Sequence, residues 1–142
     1  MKKTVSLKNK RAKLRSKRNL EVNMEAAKIL RTVKDHEAFY FYESLGRPTG
    51  EVARNLSEFL DAVKSGKSES IMFHLRRGDF ENWIGEILGD IKLAKEVERI
   101  SSANSDDARM SMCRIIENRV KELKESSVAI LAVGNSTVLV PS

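Results

Sequence analysis

The sequence predicts a mainly α-helical α+β domain: a compact bundle of five or six short helices with a short aromatic strand and a C-terminal β-hairpin. Three observations predict it. Apolar residues recur at helical spacing in several separate segments. Four aromatic residues stand in a row at Phe39–Tyr42. Two β-rich runs flank Gly134-Asn135 near the C-terminus. A chain of 142 residues with 41% hydrophobic content has material for one modest core and not for two. The organisation expected is a flexible basic arm over residues 1–19 and a single domain over residues 20–142.

The arm holds Lys2, Lys3, Lys8, Lys10, Arg11, Lys13, Arg15, Lys17 and Arg18 and no acidic residue. Its self-repulsion and few apolar residues predict a stretch that is unfolded when free. From about Asn19, Leu20, Met24, Ala27 and Leu30 fall at helical spacing, predicting a helix over roughly 20–34 that part of the arm could join once its charge is neutralised. Phe39-Tyr40-Phe41-Tyr42 suits a strand with alternate rings on its two faces. Gly46, Pro48 and Gly50 mark a loop after it. All eight aromatic residues lie between Phe39 and Trp83, which places the centre of the core there.

Asn55-Leu56-Ser57-Glu58 has the form of a capping box, and Leu56, Phe59, Leu60 and Val63 make one stripe, so a helix is expected over 56–65 with Gly66 at its end. Ser68 can cap a short helix carrying Ile71, Met72 and Leu75 and stopping at Gly78, with a strand as the alternative because the run is short. Asp79 then reads as the cap of a helix burying Phe80, Trp83, Ile84, Ile87 and Leu88, with Gly89 its stop and Asp90 the next start. Leu93, Ala94, Val97 and Ile100 line that next helix. Ser101–Ser105 is a polar break. Asn104 or Ser105 can cap a last helix whose stripe is Met112, Ile115, Ile116, Val120 and Leu123. The runs before and after Gly134-Asn135, from Ser127 to Val140, complete the expected hairpin.

Residues Ala38 to about Ile100 resemble an uncharacterised family of small archaeal and bacterial domains of unknown function. The likeness rests on the Phe39–Tyr42 run, the Asn55-Leu56…Phe59-Leu60 helix, and His74…Asp79-Phe80-Glu81-Asn82-Trp83-Ile84…Leu88-Gly89-Asp90…Leu93-Ala94. The resemblance implies no established reaction or cofactor. It also implies that Arg76 and Arg77 are dispensable to the fold, and that the arm and the C-terminal segment adapt this member to its task.

The charge pattern carries the functional expectation. Nine of the 26 basic residues lie within residues 1–20; the rest of the chain has 17 against 20 acidic residues, a net of −3. Any affinity for a polyanion therefore belongs to the arm. With no aromatic residue for stacking, it would neutralise phosphates in a salt-dependent, largely sequence-blind way. The expected function is a non-enzymatic, nucleic-acid-associated protein that binds RNA, DNA or a ribonucleoprotein such as the ribosome through Lys2–Arg18. The alternative is a protein-interaction or regulatory module with an incidental basic tail. A membrane-surface arm would carry bulkier anchors than Val5, Leu7 and Leu14.

His74, Arg76 and Arg77 beside Asp79 form a possible anion-binding corner. Against it, Asp79 would already cap a helix, and a histidine at the edge of a buried stripe commonly donates to a backbone carbonyl. His36, His74 and Cys113 have no metal-ligand spacing, so no metal is expected. No phosphate-binding glycine loop is present, Cys113 and Trp83 read as core, and no catalytic residue or cofactor is expected. A lone cysteine, no apolar leader and no membrane-length apolar run point to the cytoplasm.

Overall fold

The computed structural model describes the backbone of residues 2–103 and 107–139 and the side chains of residues 10–103 and 107–127. Helix α1 spans Lys2–Ile29. It thus runs through the expected arm instead of starting near residue 20. Among its described side chains, those of the last turns pack on the body: Ala26 and Ile29 are buried, while every side chain from Lys10 to Val22 is exposed. A 3-10 turn, Asp35–Glu37, leads into strand β1, Phe39–Ser44, which pairs antiparallel with β2, Arg47–Ala53. Phe39 and Phe41 point into the core, and Tyr40 is exposed, the expected alternation.

β2 occupies the stretch that the sequence marks as loop. Pro48 lacks an N–H, which a strand with only one partner tolerates. The register jumps from Tyr40↔Val52 to Tyr42↔Pro48, so residues are bulged out of β2. Gly50, at φ 90°, supplies the left-handed backbone such an irregularity needs. Thr49 Oγ1 donates to Phe41 O at 3.1 Å and accepts from Glu51 N–H at 3.1 Å, covering groups that the broken ladder exposes.

Helix α2, Leu56–Ser65, begins as its sequence dictates: Asn55 Oδ1 accepts from Glu58 N–H at 2.8 Å. Glu58 reaches back past the cap and accepts from Arg54 N–H at 3.0 Å. Leu56, Phe59, Leu60 and Val63 are buried. Gly66 ends α2 with extended backbone; its need for glycine is spatial, since a Cβ there would lie 2.6 Å from Ala62 O. Helix α3 spans Ser68–Arg77 and closes on Gly78 in the left-handed region. Helix α4, Asp79–Trp83, passes into a π turn, Ile84–Leu88, that Gly89 terminates at φ 84°. Arg31 donates to Ile87 O at 2.8 Å, satisfying a carbonyl at the end of that turn.

Helix α5, Ile91–Ala103, starts on Asp90, whose Oδ1 accepts from Leu93 N–H at 3.1 Å. It continues through the expected break, with Ser101 and Ser102 hydroxyls donating to the carbonyls of Val97 and Glu98. Gly85 lets the π turn approach this helix: a Cβ on it would stand 3.3 Å from Ala94 Cβ. The expected caps Asn104 and Ser105 lie outside the described residues. Helix α6 runs Ala108–Leu139, with Met112, Ile116, Val120 and Leu123 buried and packed toward α1, α2 and α5.

The C-terminal hairpin is therefore corrected: residues 127–139 continue α6, Val140 lies outside the described residues, and the hairpin of this fold is β1–β2. An established helix extends without a second nucleation step. Good helix formers such as Ala129, Leu131 and Ala132 outweigh the roughly 1 kcal/mol that a Gly such as Gly134 costs.

Phe39 is the hub of the core. Its ring centroid lies 4.8 Å from that of Phe41, 5.6 Å from Phe59, 5.3 Å from Phe80 and 5.7 Å from Trp83. Trp83 is tied at its polar end, donating from Nε1 to Glu37 O at 2.8 Å. The chain is mainly helical, with six α-helices among the described residues.

Candidate functional site

Two places gather the charged residues that the sequence singles out. The first is the corner where α3 ends, α4 begins and β1 passes. His74 is buried, at 3% exposure. Its Nε2 accepts from Tyr42 N–H at 2.8 Å, and its Nδ1 meets Asp79 Oδ2 at 2.8 Å. A backbone N–H can only donate, so Nε2 must carry the lone pair and Nδ1 the proton. Burial holds the His74 pKa below its usual 6.5, against the opposing pull of Asp79. The ring is a neutral bridge with no nitrogen left to act as a base toward a ligand.

Asp79 is the first residue of α4 and not its cap; Gly78 holds the cap position and makes no side-chain cap bond. Its carboxylate serves the corner instead, accepting also from Arg77 Nε at 3.1 Å. Arg77 in turn lies over the Phe73 ring, 5.1 Å from its centroid. The corner thus unites His74, Arg77 and Asp79. Arg76 is exposed and makes no bond to that carboxylate. Beside the corner is a cleft of about 440 Å³ lined by Tyr40, Tyr42, Leu45, Phe73 and Arg77. Sequence reasoning missed Tyr42 and Phe73 here. The Tyr42 contribution is a backbone N–H, which no residue type reveals.

A second buried polar cluster was not foreseen. Arg119 on α6 donates from Nε to Asp90 Oδ2 at 2.7 Å and from a terminal nitrogen to Oδ1 at 3.2 Å. Asp90 is buried, and Arg119 also holds Glu122 at 2.9 Å. One carboxylate therefore caps α5 and fixes α6 upon it.

The second place is α1. Lys10, Arg11, Lys13, Arg15, Lys17 and Arg18 are all exposed on this helix and form no ion pair among the described residues. Lys2, Lys3 and Lys8 share its backbone; their side chains lie outside the described residues. Glu21 is the first acidic residue of the chain. The six cations from Lys10 to Arg18 are held on a regular scaffold and are open to solvent, so they can meet a polyanion.

Among the described residues no group of three His, Cys, Asp or Glu could hold a metal ion, and no helix is long and apolar enough to cross a membrane. Cys113 is half-buried, and burial raises its thiol pKa. No protein-family model, curated protein or solved structure matches the chain.

Proposed function

We propose that this protein is a non-enzymatic nucleic-acid-binding protein that grips phosphates with the basic segment of α1. The supporting observation is the exposure of all six cations between Lys10 and Arg18 on a stretch free of acidic residues. Several charged groups of the body, by contrast, engage one another, as at His74–Asp79–Arg77 and Asp90–Arg119. Neutralising the nine phosphates that the nine cations of residues 2–18 can reach sets a ceiling of about −8 on the slope of log affinity against log salt. Deletion of residues 2–18 abolishes binding to RNA and DNA in low salt; undiminished binding without them refutes the proposal.

Exposed Leu20, Val22 and Met24, lying between the basic segment and the packed end of α1, favour a second reading in which a protein partner docks on the helix. That reading requires capture of one specific protein that survives nuclease treatment and removal of residues 2–18.

A further inference from the structure

The nucleic-acid reading leaves open which nucleic acid is bound and how. The helical form of α1 carries an answer, which rests on that reading. At about 100° per residue, Lys10, Lys13 and Lys17 share one side of the helix, and Arg11, Arg15 and Arg18 share another. Within residues 10–19, the arc of roughly 160° between the two sides holds only the uncharged Asn19, Ala12 and Ser16; Lys2, Lys8 and Leu20, outside that window, fall near its edges. The narrower arc opposite holds Leu14. All these side chains are exposed, so neither flank nor the uncharged line is covered by the body.

We propose that α1 lies in the major groove of double-stranded DNA, with the lysine side on one phosphate backbone, the arginine side on the other, and Ala12, Ser16 and Asn19 toward the base edges. A helix is about 10–12 Å across and the B-form major groove about 12 Å wide, so helix and groove match. A helix in that groove meets a wall of phosphates on each side, which is the charge pattern α1 presents. The inward face must be small and uncharged to let the backbone approach. Alanine, serine and asparagine meet that need and can contact a thymine methyl or hydrogen-bond base edges. Duplex RNA fits less well, because its major groove is deep and narrow. Single strands would be expected to call on aromatic side chains, and residues 1–38 contain none.

The test uses the full chain with a DNA duplex, an RNA duplex and a DNA single strand of equal length, read by fluorescence anisotropy in low salt. The DNA duplex binds at least about tenfold more tightly than the other two. A variant with Ala12→Pro and Ser16→Pro keeps every cation but breaks the helix, and it loses that preference and about tenfold in affinity. A variant with Ala12→Phe and Ser16→Phe keeps cations and helix but obstructs the inward face, and it weakens binding similarly; Leu14→Phe leaves binding unchanged. Melting temperatures stay near wild type, since residues 10–22 contribute nothing to the core. Binding of all three nucleic acids within threefold, or an unaffected proline variant, overturns the groove and leaves a sequence-blind polycation. An unaffected phenylalanine variant overturns the assigned face. Absence of salt-dependent binding to any of the three overturns the nucleic-acid reading itself.

Discussion

Replacing His74 separates the three things that this ring does. In His74→Ala, Tyr42 N–H loses its acceptor in a buried setting, a penalty of about 1–3 kcal/mol. The ring also leaves a hole among Phe39, Phe41 and Phe80, whose centroids lie 4.9, 5.9 and 5.5 Å from it, adding about 2 kcal/mol or more. Asp79 keeps Arg77, so its loss is smaller. The expected total is about 4 kcal/mol, a large share of the 5–15 kcal/mol typical of a domain. His74→Gln can place an oxygen where Nε2 stands and retains the Tyr42 bond. His74→Asn can place its amide near Nδ1 and retains only the Asp79 bond. Denaturant melts should therefore rank Gln above Asn above Ala. The folded pKa is depressed by burial, so the unfolded chain takes up the proton first. Stability is then full above the usual 6.5 and declines as pH falls from there toward the folded value, at no more than about 1.4 kcal/mol per pH unit for one proton. His74→Gln lacks this decline. An alanine variant within about 1 kcal/mol of wild type, or a glutamine variant with an unchanged pH profile, would refute the bridge.

Arg119→Met strands the buried Asp90 carboxylate and should lower unfolding free energy by about 3–5 kcal/mol in urea melts. Ser70→Ala should be neutral or stabilising by up to about 1 kcal/mol, because the buried Ser70 Oγ has no hydrogen-bond partner; a clear loss in thermal melts would reveal one. Gly66→Ala should destabilise by more than about 1 kcal/mol, since the added Cβ meets a backbone carbonyl that cannot yield. Glu81→Gln should gain on wild type as pH rises above 4.5, because burial raises the Glu81 pKa and disfavours its ionised form; parallel stability–pH curves would contradict this.

What was legible in the sequence was local. Asn55 and Glu58, three residues apart, fix the start of α2 whatever surrounds them, and the Leu56–Val63 stripe has one possible face to bury. Asp90 is a cap for the same reason. Where local signals competed, tertiary context decided. Gly46, Pro48 and Gly50 punctuate β2 without preventing it, because Pro48 sits where no N–H is required and Gly50 sits at the irregularity. The Val-rich C-terminal runs have strand propensity, but they follow a helix already anchored by Met112, Ile116 and Val120. Asp79 shows the limit at the site. Its position before Phe80 suits a helix cap equally well, and only the closeness of His74 and Arg77 in space draws it away. The bonds Tyr42–His74 and Asp90–Arg119 join residues 32 and 29 apart, and no spacing rule foretells them.

The same contrast bears on where function resides. A charge that neutralises a neighbour within the fold contributes to shape and is screened from partners. His74, Arg77 and Asp79 are of this kind, as are Asp90, Arg119 and Glu122, and exposed pairs such as Arg54–Asp35 and Lys67–Glu43 add to the set. His74 and Arg77, which looked most like a site in the sequence, are thus engaged with Asp79 in the structure. The cations of α1 are the reverse: in sequence they resemble a featureless basic tail, and on the helix they acquire sides. A flexible polycation and a helix with the same composition release the same counterions, so salt dependence alone cannot tell them apart. Only the helix has a lysine side, an arginine side and an uncharged line between them. If the affinity of this protein for duplex DNA follows the angular position of substituted residues around α1, and not merely their charge, the scaffold matters as much as the cations it carries.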